Sequence, residues 1–153
     1  MQKTACQHHR SLQPARAYRS SSLLRCQHKP VASMSDFVRL DAGKRMSEAV
    51  VHKAGGVVYL AGQVAEDTTQ GTKGQTEQVL KLIDSLLARA GTDKTRILMV
   101  QIYMVDIAEF PLMNEAWEAW VPAGSPPARA TVAGVALADP GWRLEMVVTA
   151  ALP

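Results

Sequence analysis

Ala49-Val50-Val51-His52-Lys53-Ala54-Gly55-Gly56-Val57-Val58-Tyr59-Leu60-Ala61-Gly62-Gln63 decides the fold class of this chain. Two runs rich in β-branched residues flank a glycine pair, and glycine supplies the positive φ of a tight turn, so the stretch predicts a β-hairpin. Phe37 to Leu40, upstream, is a further short strand. Downstream, Thr72 with Gln75 has the form of a capping box, and Val79, Leu80, Ile83, Leu86, Leu87 and Ala90 share one helical face. Gly91 stands where a helix-ending glycine belongs. Leu98 to Val105 is a buried-type strand. Met113, Trp117 and Trp120 recur at helical spacing before Pro122, giving a second, shorter helix whose indoles read as core. Ala128 to Val135 and Trp142 to Ala151 are two last strands, joined through Ala138-Asp139-Pro140-Gly141. The order predicts an α+β domain with two helices on one face of a mixed sheet.

Such a sheet has more apolar strand surface than two helices can hide, which predicts an oligomer. With 153 residues, 47% of them apolar and 20% charged, the chain is globular in composition, and no run approaches the roughly 18 apolar residues that span a bilayer. Integral membrane function is thereby excluded from the reading.

The formal charge of +3 is unevenly placed. Residues 1–34 hold six of the seventeen basic side chains and no acid, so residues 35–153 carry eleven basic and fourteen acidic ones, a net −3. An Arg- and Ser-rich, acid-free segment has the composition of an organellar transit peptide, disordered and cleaved, with chloroplast favoured over mitochondrion. Residues 35–153 then form the functional domain.

Both cysteines, Cys6 and Cys26, fall in the leader, so the domain has no thiolate nucleophile, disulfide or Cys-ligated metal. Its one histidine, His52, supports neither a His-based metal site nor a triad and reads as structural. Phosphate-loop, dinucleotide, zincin, serine-hydrolase and CxxC motifs are missing. A negatively charged domain without a ligand cluster gives no support to a nuclease or to a nucleic-acid partner.

Pro126-Pro127-Ala128-Arg129-Ala130-Thr131 and Leu144-Glu145-Met146 are the informative segments. Arg129 and Glu145 are equidistant from residue 137, so if the last two strands pair as a hairpin the two charges emerge opposite each other on one face. One reading is a cross-strand salt bridge worth under about 1 kcal/mol. The other is a site: a guanidinium forks onto a substrate carboxylate while the neighbouring carboxylate activates water. That chemistry needs no metal and no cofactor.

Together with Tyr59-Leu60-Ala61-Gly62-Gln63 and the Phe110 to Trp120 segment bearing Met113-Asn114, these residues resemble the RidA (YjgF-like) family of reactive intermediate/imine deaminases, over about residues 37–153. The resemblance implies a chorismate-mutase-like α+β fold and a homotrimer with clefts between subunits. It implies hydrolysis of enamine and imine acids, such as 2-aminoacrylate released by pyridoxal-phosphate enzymes, to 2-oxo acids and ammonia. By position, Arg129 would clamp the carboxylate and Glu145 would orient or activate water. The Thr131 backbone would hold the imine nitrogen, and Gly62 and Asn114 would line the pocket. Thr131 stands where the family often has Cys, Met46 where it often has an aromatic, and the loop between Arg129 and Glu145 is about one residue longer. A non-catalytic ligand-binding or protein-interaction trimer of the same fold is the competing expectation.

Overall fold

A computed structural model describes residues 36–153 of the chain; the leader expected over 1–34 lies outside them. In order, the elements are β1 (Phe37–Leu40), β2 (Ala49–His52), β3 (Val57–Leu60), α1 (Thr72–Arg89), β4 (Ile97–Met104), α2 (Phe110–Trp120), β5 (Ala128–Ala133) and β6 (Leu144–Ala151). Single 3-10 turns at Lys94–Arg96 and Ile107–Glu109 lead into β4 and α2. The strands form one six-stranded sheet in the order β1-β2-β3-β6-β4-β5, antiparallel except for the parallel pair β4–β5.

The expected hairpin forms, with His52 opposite Val57 and Gly56 at φ +65° in its turn. The end of α1 is also as expected. Gly91 takes φ +84°, its N–H reaches Ala88 O, and Thr92 N–H reaches Leu87 O, the paired bonds that satisfy the last carbonyls of a helix closed by a left-handed glycine.

The capping box does not form. Thr72 is already the first residue of α1, Gly71 precedes it with no side-chain cap, and the Thr72 hydroxyl donates to Glu109 instead. The Gln75 carboxamide, wholly buried, donates to Gln70 O (3.0 Å) and Gly141 O (2.9 Å) and accepts from Arg143 N–H (2.8 Å). Spending this side chain on loop groups ties the start of α1 to the turn before β6, since buried polar groups must find partners somewhere.

The second correction concerns the last two strands. β5 and β6 do not pair; β4 lies between them, parallel to β5 and antiparallel to β6. The cause lies in the helix connections. With β6 antiparallel to both β3 and β4, the segment β3-α1-β4 joins parallel strands and leaves one position open between them, and β6 fills it. β4-α2-β5 is a crossover to the adjacent parallel strand, which puts β5 at the edge. β6 suits its interior position because Leu144, Met146, Val148 and Ala150 are all fully buried beneath the helices.

Core side chains from α1 (Val79, Leu80, Ile83, Leu87) and α2 (Met113, Trp117) meet this face of the sheet. The other face has no cover among the described residues, and Tyr59 and Val132 on it are 53% and 51% exposed.

Candidate functional site

Strand register decides where the two charged residues go. Arg129 is level with Val100 and Glu145 with Tyr103. Three residues along β4 is an odd step, and side chains alternate, so Arg129 stands on the helix-covered face and Glu145 on the open one. Their Cα positions are about 14 Å apart by strand spacing and rise. The expected same-face pair within one chain is therefore wrong, as is the cross-strand salt bridge, because the hairpin it needs does not exist.

Around Arg129 the site is built by α2. Phe110, Asn114 and Trp117, at i, i+4 and i+7, share one helical face. Arg129 donates from Nη1 to Asn114 Oδ1 at 2.8 Å. Its guanidinium carbon lies 5.1 Å from the centroid of the Trp117 ring and 5.8 Å from that of Phe110. Burial draws the Arg129 pKa down, opposed by the charge of Glu118, yet an arginine stays cationic at neutral pH. Among the described residues no carboxylate lies within ion-pair distance of it; the ion pairs there are Lys73–Glu115 and Arg89–Asp41. Thr131, two residues along β5, shares the Arg129 face. Its hydroxyl is buried with no hydrogen-bond partner among the described residues.

The second group sits on the open face. From Tyr59 to Gln63 the chain takes four residue steps against three from Thr149 to Met146, so one extra residue bulges the strand and reverses its side-chain parity. Gln63 thereby turns inward, 5% exposed, and its amide donates to Glu48 Oε2 at 3.1 Å. Gly62 lies against the Glu145 carboxylate, whose Oε1 would stand 1.7 Å from a Cβ at residue 62. Tyr103 is the direct cross-strand neighbour of Glu145.

Of the five residues expected at the site, the structure thus joins Arg129, Asn114 and Thr131 in one group and Gly62 and Glu145 in another. Sequence reasoning missed Phe110 and Trp117 as partners of Arg129. Trp117 is core, as read, at 6% exposed, but it also presents a ring face to the guanidinium. The signal was available in the common helical face that these two share with Asn114. His52 is structural but not satisfied: its ring stacks on Phe37 at 4.6 Å, while Nε2 is buried without a partner among the described residues.

These features agree with comparisons to known proteins. A family model described as Endoribonuclease L-PSP matches residues 37–152. A RutC family protein of Haemophilus ducreyi is 42% identical over 114 residues, covering 74% of this chain and 95% of the relative. The crystal structure of a YjgF family member from Neisseria meningitidis superimposes with a TM-score of 0.73 at 40% identity, covering 77% of this chain and 96% of that one. At greater distance, Reactive Intermediate Deaminase A of Arabidopsis thaliana is 33% identical over 91 residues, 56% of this chain and 48% of that protein.

The organellar assignment, chloroplast or mitochondrion, is overturned by this pattern. RutC family proteins of Haemophilus ducreyi, Haemophilus influenzae and Escherichia coli, 42%, 44% and 37% identical to this chain, come from bacterial cells, which have neither plastids nor mitochondria. An Arg- and Ser-rich, acid-free composition is shared by many basic segments and does not by itself specify an address. What the matched segments, the sheet order and the superposition together establish is that this chain belongs to the RidA/YjgF family.

Proposed function

We propose that the two groups are halves of one site, completed when the β5 edge of one subunit packs beside the open sheet face of the next in a homotrimer, and that this site hydrolyses enamine and imine acids to 2-oxo acids and ammonia. The observation that carries the proposal is the opposed placement of Arg129 and Glu145, one a cation with no carboxylate at ion-pair distance among the described residues and the other a carboxylate on an apolar face that the described residues leave uncovered. Burying that face supplies the drive to associate.

In the assembled site Arg129 forks onto the substrate carboxylate with the N–H groups that Asn114 leaves free. The enamine, once tautomerised to the imine, presents its electrophilic C2 to a water held by Glu145. Glu145 takes a proton as the water oxygen bonds to C2, and the nitrogen, held against the Thr131 backbone, gains a proton. The carbinolamine hydroxyl proton then passes by way of Glu145 to the nitrogen, and the C2–N bond breaks as the C2=O bond forms, releasing ammonia and the 2-oxo acid. One water enters and one ammonia leaves, so no redox partner is required.

The test generates 2-aminoacrylate in situ with a pyridoxal-phosphate dehydratase acting on serine and follows ammonia and pyruvate release with and without the protein. Acceleration over the spontaneous rate is expected. Binding of 2-oxobutanoate without any acceleration would replace the enzyme by a ligand-binding trimer.

A further inference from the structure

Arg129 poses a problem of solvation. It projects from the edge strand to the side of the sheet where its register neighbours on β4 and β6, Val100 and Val148, are fully buried. A cation partly withdrawn from water there ordinarily takes a carboxylate partner, because an uncompensated charge is costly. This one has none at ion-pair distance among the described residues. Its close contacts are the Trp117 ring at 5.1 Å, the Phe110 ring at 5.8 Å and the Asn114 amide oxygen at 2.8 Å, with the charge of Glu118 acting from beyond ion-pair distance.

Aromatic faces and an amide oxygen stabilise a guanidinium without cancelling its charge. A carboxylate in their place would form a closed ion pair, and an incoming anion would first have to break it. The Trp117 ring is itself braced by a neighbour. It packs at 5.4 Å and 54° against Trp120, whose Nε1–H donates to Asp84 of α1 at 2.8 Å.

We infer that Phe110 and Trp117 are positioning residues for the Arg129 clamp: they hold the guanidinium plane and direct its free N–H edge, while leaving its positive charge available to a carboxylate ligand. This rests on the proposed function only for the identity of the ligand. The aromatic seat itself is testable without one.

The test uses the full chain with Trp117→Leu, Trp117→Phe and Phe110→Leu. The ligand-free readout is the Arg129 Nε–H resonance, which ring current should displace in the parent protein. Trp117→Leu should move it towards the ordinary position, and Trp117→Phe should move it less. The second readout is calorimetric binding of 2-oxobutanoate. Trp117→Leu should weaken it about tenfold, equivalent to about 1.4 kcal/mol, with KM rising and kcat nearly constant, since binding common to ground and transition states is what is lost. Trp117→Phe should recover most of the affinity. In an Arg129→Lys background the same Trp117→Leu change should cost less, because a point-charge ammonium has no plane to hold. Phe110 is half-buried, so Phe110→Leu tests the second ring where Trp117→Leu disturbs the core.

An unmoved Nε resonance in folded Trp117→Leu, or an equal affinity loss with and without the arginine, overturns the inference. If the parent protein fails to bind 2-oxobutanoate while the Nε resonance responds as expected, the 2-oxo acid reading falls and the aromatic seat stands.

Discussion

Gly62 and the Glu145 carboxylate compete for the same space. A Cβ on residue 62 would stand 1.7 Å from Glu145 Oε1 and 2.6 Å from its Cδ, both far inside contact distance. Gly62→Ala must therefore push the carboxylate aside. The displaced group is the free end of a side chain on an open face, so the melting temperature should change by no more than a few degrees. Turnover should fall by about 10², the scale of loss for a small misplacement of a reacting group. Full activity in Gly62→Ala would show that the Glu145 position is unimportant.

Glu145→Gln keeps size and hydrogen bonding but removes the base. Imine hydrolysis should drop by about 10² to 10⁴ while 2-oxobutanoate affinity holds. Undiminished turnover in folded variant protein would end the assignment.

Mixing two impaired proteins gives the sharpest test of a shared site. If each site takes Arg129 from one subunit and Glu145 from its neighbour, Arg129→Lys and Glu145→Gln subunits unfolded together and refolded at equal ratio should regain activity, with about a quarter of the interfaces native at both positions in a cyclic trimer. No recovery, given mixed trimers confirmed by mass spectrometry, would overturn the shared-site proposal.

Thr131 acts through its backbone in the proposed chemistry, and its hydroxyl is buried without a partner among the described residues. Thr131→Val should then keep activity and raise the melting temperature by a few degrees, since an unsatisfied buried hydroxyl costs about 1 to 3 kcal/mol. A large loss of 2-oxobutanoate affinity would assign the hydroxyl to the ligand.

Acid should unmake the turns at Asp67 and Asp93. The Thr69 hydroxyl and N–H and the Gln70 amide lower the Asp67 pKa below its ordinary 3.8, and the Thr95 hydroxyl and N–H lower that of Asp93. Groups depressed on folding contribute stability above the unfolded value, and that stability is lost as pH falls through the folded one. Asp67→Asn and Asp93→Asn should each be less stable than the parent at pH 7 and match it near pH 2, as followed by circular dichroism. An unchanged pH dependence would contradict this.

The sequence by itself determined the elements and most of their ends. Runs of β-branched residues around Gly55-Gly56 marked the hairpin, helical spacing marked both helices, and Gly91 stopped α1, because each of these depends on local backbone preference and on which side chains need burial. Arg129 and Glu145 were also legible, as charges in otherwise apolar strand patterns, and Gly62, Asn114 and Thr131 through the family resemblance. Tertiary structure alone decided which of them meet. The insertion of β6 between β3 and β4 is a long-range pairing that no local pattern encodes, and it moved Arg129 and Glu145 to opposite faces. The bulge before Gln63, the diversion of Gln75 to loop carbonyls and the aromatic seat beneath Arg129 have the same origin: each is set by what another segment brings alongside, and sequence spacing does not carry that information.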